Sequence, residues 1–225
     1  MVKFIFFDFG GCIDSGGVHT RTLFWNAFLA QKLVREEGRK EFQEAYTKAD
    51  DQMMKTGIAK KMELRNFNRL NATLIAADLH LASPLTMEAA DSVTTIMTKY
   101  LEKNALILER LAARMPLGII SNFTGNLEVI LNEFDLRKYF HSVTESFYAG
   151  ASKPDRKIFE AALATQHFLP NECIFIGDNP KNDIYPGLDM GMKCVLIHER
   201  GKKQDCGANA YVEDLGELEG LIQSI

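Results

Sequence analysis

No apolar stretch in the 225-residue chain approaches the roughly 18 residues that a bilayer span requires. The first nine residues carry one lysine and a short apolar run, then meet Asp8, so they predict neither a signal peptide nor an anchor. Only four cysteines occur, Cys12, Cys173, Cys194 and Cys206, with no C-x-x-C spacing. Neither a disulfide framework nor a zinc site is indicated, and reduced thiols in a cytoplasmic protein are the expectation. Concentrated positive charge is missing too: 26 Lys and Arg against 30 Asp and Glu give a net charge of −4. A nucleic-acid partner, which needs a basic surface, is not expected. The glycine-rich turn G-x-G-x-x-G of dinucleotide-binding proteins is also absent, since the first such turn reads FGGCIDSGG. No repeat and no low-complexity segment is evident, and the sequence is silent about oligomeric state.

What is present is ordinary globular material, 46% hydrophobic and 25% charged. Short, nearly all-apolar runs recur at Lys3 to Phe7, Leu117 to Ile120, Cys173 to Ile176 and Lys193 to Ile197. Each is too short for a helix and lacks in–out alternation, which marks strands buried on both faces of a parallel sheet. Helical patterns lie between them, at Asn126 to Phe134, Pro154 to Gln166 and Pro180 to Met190, and Asp214 to Ile222 reads as a closing helix. Alternating strand and helix predicts an α/β fold with helices on both sheet faces. From about Thr20 to Thr98 the texture changes. Only Gly38 and Gly57 remain as glycines, and apolar residues recur at helical spacing, as in Phe24, Trp25 and Phe28. Three or four inserted helices are expected there, with those aromatics in their core. The predicted division is residues 1–18 and 99–225 for the α/β part and 19–98 for the helical insertion.

Ligands of open parallel sheets bind beyond the carboxyl ends of the strands. The first three runs lead into Asp8, Ser121-Asn122, and Gly177-Asp178 with Asp183, and Lys153 precedes the helix that starts near Pro154. Carboxylates gathered at one edge repel unless a hard cation joins them, which suits Mg²⁺ and its oxygen ligands. A carboxylate can also attack an electrophile covalently. A hydroxyl, an amide and an ammonium would hold the anionic group in transit. Phosphoryl groups need such charge neutralisation and in-line positioning above all.

The ordered motifs resemble those of the haloacid dehalogenase-like hydrolase superfamily. Asp8-Phe9-Gly10-Gly11-Cys12 stands for the first motif, GIISN with Ser121 for the second, GASKPDRKIFEAAL with Lys153 for the third, and GDNPKND with Asp178 and Asp183 for the fourth. The resemblance implies a Rossmann-like core, a small α-helical cap inserted after the first motif, and Mg²⁺-dependent hydrolysis of a small phosphorylated or otherwise anionic substrate. It makes Asp8 the nucleophile that forms an aspartyl intermediate, Ser121 a ligand of the transferred group, and Lys153 the neutralising cation. Asp178 would bind Mg²⁺ together with Asp8 and the Gly10 carbonyl, Asp183 would order the metal shell, and Asn122 would orient substrate or a neighbouring loop.

One departure stands out. The family's phosphatases place a second Asp two residues beyond the nucleophile, as general acid and base; here that residue is Gly10. Dehalogenating and phosphonate-cleaving relatives also lack it. A 2-haloacid dehalogenase or phosphonate-cleaving enzyme is therefore one alternative, and a weakly active anion-binding or regulatory protein another. Asp14 and His19, in the following loop, are possible substitute acids, with a solvated loop role as the default. The Gly10-Gly11 pair is expected to exploit glycine's backbone freedom. Cys12 as a thiol nucleophile is disfavoured, because the arginine such sites place after five residues is Val18 here.

Overall fold

The computed structural model describes residues 2–222. In chain order it comprises β1 (Phe4–Phe7), α1 (Thr20–Ala30), α2 (Arg39–Thr56), α3 (Leu64–Asp78), α4 (Leu85–Ala112) and β2 (Leu117–Ser121). Then come α5 (Leu127–Glu133), β3 (Phe140–Glu145), α6 (Ser146–Ala149), α7 (Arg156–Ala164) and β4 (Cys173–Gly177). The chain closes with α8 (Tyr185–Asp189), β5 (Lys193–Ile197), β6 (Ala210–Val212) and α9 (Leu218–Leu221). The strands form one sheet in the order β3-β2-β1-β4-β5-β6, and every pairing is parallel. The α/β architecture is as the sequence indicates.

β1 occupies the middle because its four residues suit burial on both faces, and none is accessible to solvent. The strand period of two sends Phe4 and Phe6 to one face, with Phe159 and Phe175. Ile5 and Phe7 go to the other, in a core that continues through Phe24, Trp25, Phe28, Phe42 and Leu101 of the helical segment. The three aromatics of α1 are thus packing residues: Trp25 and Phe28 each meet the Phe42 ring at 5.2 Å between centroids. α4 packs against α1 and α3. At 28 residues it is about 42 Å long, and residues 98 and 99, where the insertion was expected to end, lie inside it without a break.

Two strands have no counterpart among the apolar runs. β3 and β6 are the sheet edges, and edge strands have one neighbour and a partly wetted face. Their sequences, FHSVTE and AYV, are correspondingly mixed or short. Two expected helices are also broken up. Pro180–Ile184 forms a wide turn that Asn179 caps before α8 begins. Asp214 caps a tight turn, Leu215–Glu217, before the single turn of α9.

Candidate active site

The site lies at the carboxyl ends of β1, β2 and β4. After Phe7 the chain makes a wide turn over Phe9–Ile13, closed by a hydrogen bond from the Asp14 amide to the Phe9 carbonyl. Gly11 adopts φ 85°, open to glycine at little cost, and a Cβ there would lie 2.3 Å from an Asp178 carboxylate oxygen. Gly10 does not follow the expectation. Its φ of −70° and ψ of 125° suit any residue.

Asp8 leaves the end of β1 with 8% exposure. Its Oδ1 accepts the Phe9 amide at 2.7 Å and forms an ion pair with the Lys153 ammonium at 2.9 Å. Lys153 also reaches Asp183 Oδ1 at 2.7 Å. Asp183 is fully buried because Gly177 leaves it room, a Cβ there falling 2.4 Å from Asp183 Oδ2. The same Oδ2 accepts the Asn179 amide at 3.0 Å. One ligand oxygen from each of Asp8, Asp178 and Asp183 falls within 4.8 Å of the others.

These charges perturb one another strongly. Burial raises the Asp178 carboxyl well above its ordinary range, and the charges of Asp183 and Asp8 add to the effect. Asp183 is raised mainly by burial, against the opposing pull of Lys153. For Lys153 burial acts downward, but the charges of Asp183 and Asp8 outweigh it and the ammonium is held cationic. Three carboxylates facing one ammonium leave an excess of about two negative charges when all are ionised. A divalent cation with oxygen preference fits that donor set.

Asn122 clamps the main chain of Lys153: its Oδ1 accepts the Lys153 amide at 2.7 Å and its Nδ2 donates to the Lys153 carbonyl at 2.9 Å. The amide therefore positions the lysine, while also lining the cavity with Ser121. Ser121 ends β2 at 1% exposure. Glu145 supports this loop from the end of β3, accepting the Gly125 amide; burial raises its carboxyl to about 7.

Asp8, Gly10, Ser121, Asn122, Lys153 and Asp178 line one cavity of about 340 Å³, whose far wall comes from α1 and α2. That wall includes Thr20, Arg21, Tyr46 and Asp50, none singled out by sequence spacing. Polar residues on a helix carry no signal of which cavity they face. His19 lines the cavity; Asp14 is not among the lining residues. Asp14 is fully buried beneath the first turn, where it accepts the Gly11 amide at 2.8 Å and the Ser15 hydroxyl at 2.6 Å. It braces the turn instead of serving as a solvated loop residue. Burial raises its carboxyl to about 7. Cys12 is sealed inside, and burial foremost, followed by the charge of Asp8, keeps it a neutral thiol.

Over residues 7–197 the sequence matches the family described as haloacid dehalogenase-like hydrolase, and the chain belongs to that family. The pyrimidine 5'-nucleotidase YjjG of Escherichia coli is 31% identical over 121 residues, covering 52% of this chain and 53% of that protein. The glyceraldehyde 3-phosphate phosphatase of Methanothermobacter thermautotrophicus is 24% identical over 167 residues, covering 70% and 74%. Matches to several animal relatives span only 33–35% of those proteins' length. The L-2-haloacid dehalogenase of Xanthobacter autotrophicus shares the fold, with a TM-score of 0.59 over the full length of both chains at 12% identity. Among the described residues no helix is long and apolar enough to cross a membrane.

Proposed function

We propose that this hydrolase is a Mg²⁺-dependent phosphatase acting on a small phosphorylated molecule through an aspartyl-phosphate intermediate. The observation that carries the proposal is the triangle of Asp8, Lys153 and Asp183 joined by Asp178 at the cavity floor. Asp8 attacks phosphorus, the bond to the leaving oxygen breaks, and the electron pair departs with that oxygen. Lys153 neutralises the phosphoryl oxygens and Ser121 donates a hydrogen bond to them. Water then attacks phosphorus, and Asp8 is regenerated as phosphate leaves. Asp8, the Gly10 carbonyl, Asp178 and Asp183 would hold Mg²⁺, directly or through its water shell. When bound, the ion supplies neutralisation of the gathered anions. α1 to α4 form the cap that closes the site and contacts the leaving group. Names of relatives support phosphate-ester chemistry. A cytoplasmic setting, in which the four free thiols stay reduced, belongs to the same reading.

Gly10 favours the competing chemistries. In a dehalogenase Asp8 would attack a carbon bearing halogen, which needs no metal, and the Asp178/Asp183 pair would then lack a task. Phosphate release across ester classes, with and without Mg²⁺, tests the choice beside halide release from 2-haloacids. Mg²⁺-dependent phosphate release is expected. Halide release alone would establish a dehalogenase, and neither product would leave a binding protein.

A further inference from the structure

Gly10 leaves the nucleophile without a neighbouring carboxylic acid. A Cβ at Gly10 would meet one atom within 4 Å, the Thr20 hydroxyl oxygen at 3.2 Å. The preceding residue, His19, lines the cavity with Asp8 and Lys153. His19 Nδ1 accepts the backbone amide of Arg21 at 3.2 Å, so the ring proton of the neutral form resides on Nε2. Nε2 makes no hydrogen bond to any of the described residues.

We propose that His19 is a neutral hydrogen-bond donor to the leaving oxygen, and that the favoured substrates are phosphates of acidic hydroxyls: acyl, enol or aryl phosphates rather than simple alkyl esters. The inference rests on the phosphatase reading and names its substrate class. A neutral imidazole cannot surrender its Nε2 proton at reasonable cost, because imidazolate is far too basic. It can stabilise negative charge on an oxygen by hydrogen bonding, as a neutral imidazole does in triosephosphate isomerase. The balance is then simple. The bond between phosphorus and the leaving oxygen breaks, its electron pair stays on that oxygen, His19 shares but keeps its proton, and solvent water protonates the product. Only leaving groups of modest basicity depart well that way.

Two features hold the ring neutral. A protonated Nδ1 could no longer accept the Arg21 amide, so protonation would break that bond. Burial also lowers the imidazole below its ordinary value, the Arg21 and Lys153 charges act in the same direction, and Asp8 opposes them. Arg21 lies on α1, Asp8 at the end of β1 and Lys153 in the loop before α7, while Asp50, Asp51 and Asp178 line the same cavity.

The experiment measures kcat/KM for a series of aryl phosphates and one alkyl phosphate, in wild type, His19→Ala and His19→Gln, with Mg²⁺ present. Wild type should show a steep dependence on leaving-group basicity. His19→Ala should lose about 10²- to 10³-fold on the aryl series, in line with loss of one transition-state donor. Glutamine keeps an N–H donor and should recover most of that loss. Nitrogen NMR of the wild-type ring should show the Nε2–H neutral form at pH 7 to 8, a readout independent of turnover and of any folding defect in the variants. An alanine variant with unchanged rates, a flat leaving-group dependence in wild type, or a cationic or Nδ1–H ring at pH 7 would overturn the role of His19. Phosphate release that is absent from wild type in every arm would instead defeat the phosphatase reading.

Discussion

Gly10 and Gly11 are adjacent and alike in sequence, yet only one of them is required by the backbone. Gly11 combines a positive φ with an Asp178 carboxylate oxygen 2.3 Å from where its Cβ would sit. Gly10 has room for a side chain if the Thr20 hydroxyl yields by a few tenths of an ångström. Gly10→Asp should therefore fold, and its carboxyl would stand two residues beyond Asp8, within the turn that lines the same cavity. Turnover of alkyl phosphates should rise about 10-fold or more relative to aryl phosphates. A folded variant with unchanged leaving-group dependence would show that a missing proton donor does not limit the enzyme. Gly11→Ala should instead disrupt the turn and weaken Mg²⁺ binding in calorimetry. That Asp8, Ser121, Lys153, Asp178 and Asp183 gather at one sheet edge was legible because each follows a buried run or occupies a fixed motif place. The bracing role of Asp14 was not, because nothing in DSGG indicates which way its carboxyl turns.

Strands and helices position these groups through a few cross-element bonds. Asn104, 2% exposed within α4, donates to the Ile13 carbonyl at 2.7 Å and so ties the long helix to the turn that follows Asp8. Asn104→Ala would leave that carbonyl unsatisfied, at a cost of about 1–3 kcal/mol. A thermal melt should fall by roughly 2–4 °C per kcal/mol for a chain of this size, and phosphate release should fall with it. An unchanged melting temperature would show that the bond is replaced by solvent. A second tie runs from Glu133 on α5, which accepts the Leu64 amide at 2.8 Å where α3 begins. The central strands were visible as apolar runs because both their faces are covered. β3 and β6 were hidden because an edge strand such as FHSVTE needs little apolar surface. The extent of α4 was hidden for another reason: helical periodicity does not change where a helix leaves one packing environment for another.

Across the whole molecule, the buried acids make folding and metal binding depend on pH in a defined sense. Asp14 and Glu145 rise from ordinary values of 3.8 and 4.5 to about 7. Asp178 and Asp183 are raised by the same cause, burial. The native state thus prefers these groups protonated, so their contribution is complete below about pH 4 and is lost as pH rises through about 7. Without added metal, melting temperature should fall from pH 5 to pH 8. Under the proposed function Mg²⁺ would bind the ionised form and should recover part of the loss at pH 8, about 2.7 kcal/mol at one hundred times its dissociation constant. Asp178→Asn should melt higher than wild type without metal at pH 8 and respond weakly to Mg²⁺. A metal response equal to that of wild type would remove Asp178 from the site.

The most direct test of the proposed chemistry is Asp8→Asn, assayed for phosphate release from the best substrate at saturating Mg²⁺. The amide is nearly the same size as the carboxylate and far less nucleophilic. The expected result is a folded variant whose kcat falls at least about 10⁴-fold, the upper end of what removal of a general acid or base costs. Phosphate release within a few-fold of wild type would contradict nucleophilic attack by Asp8.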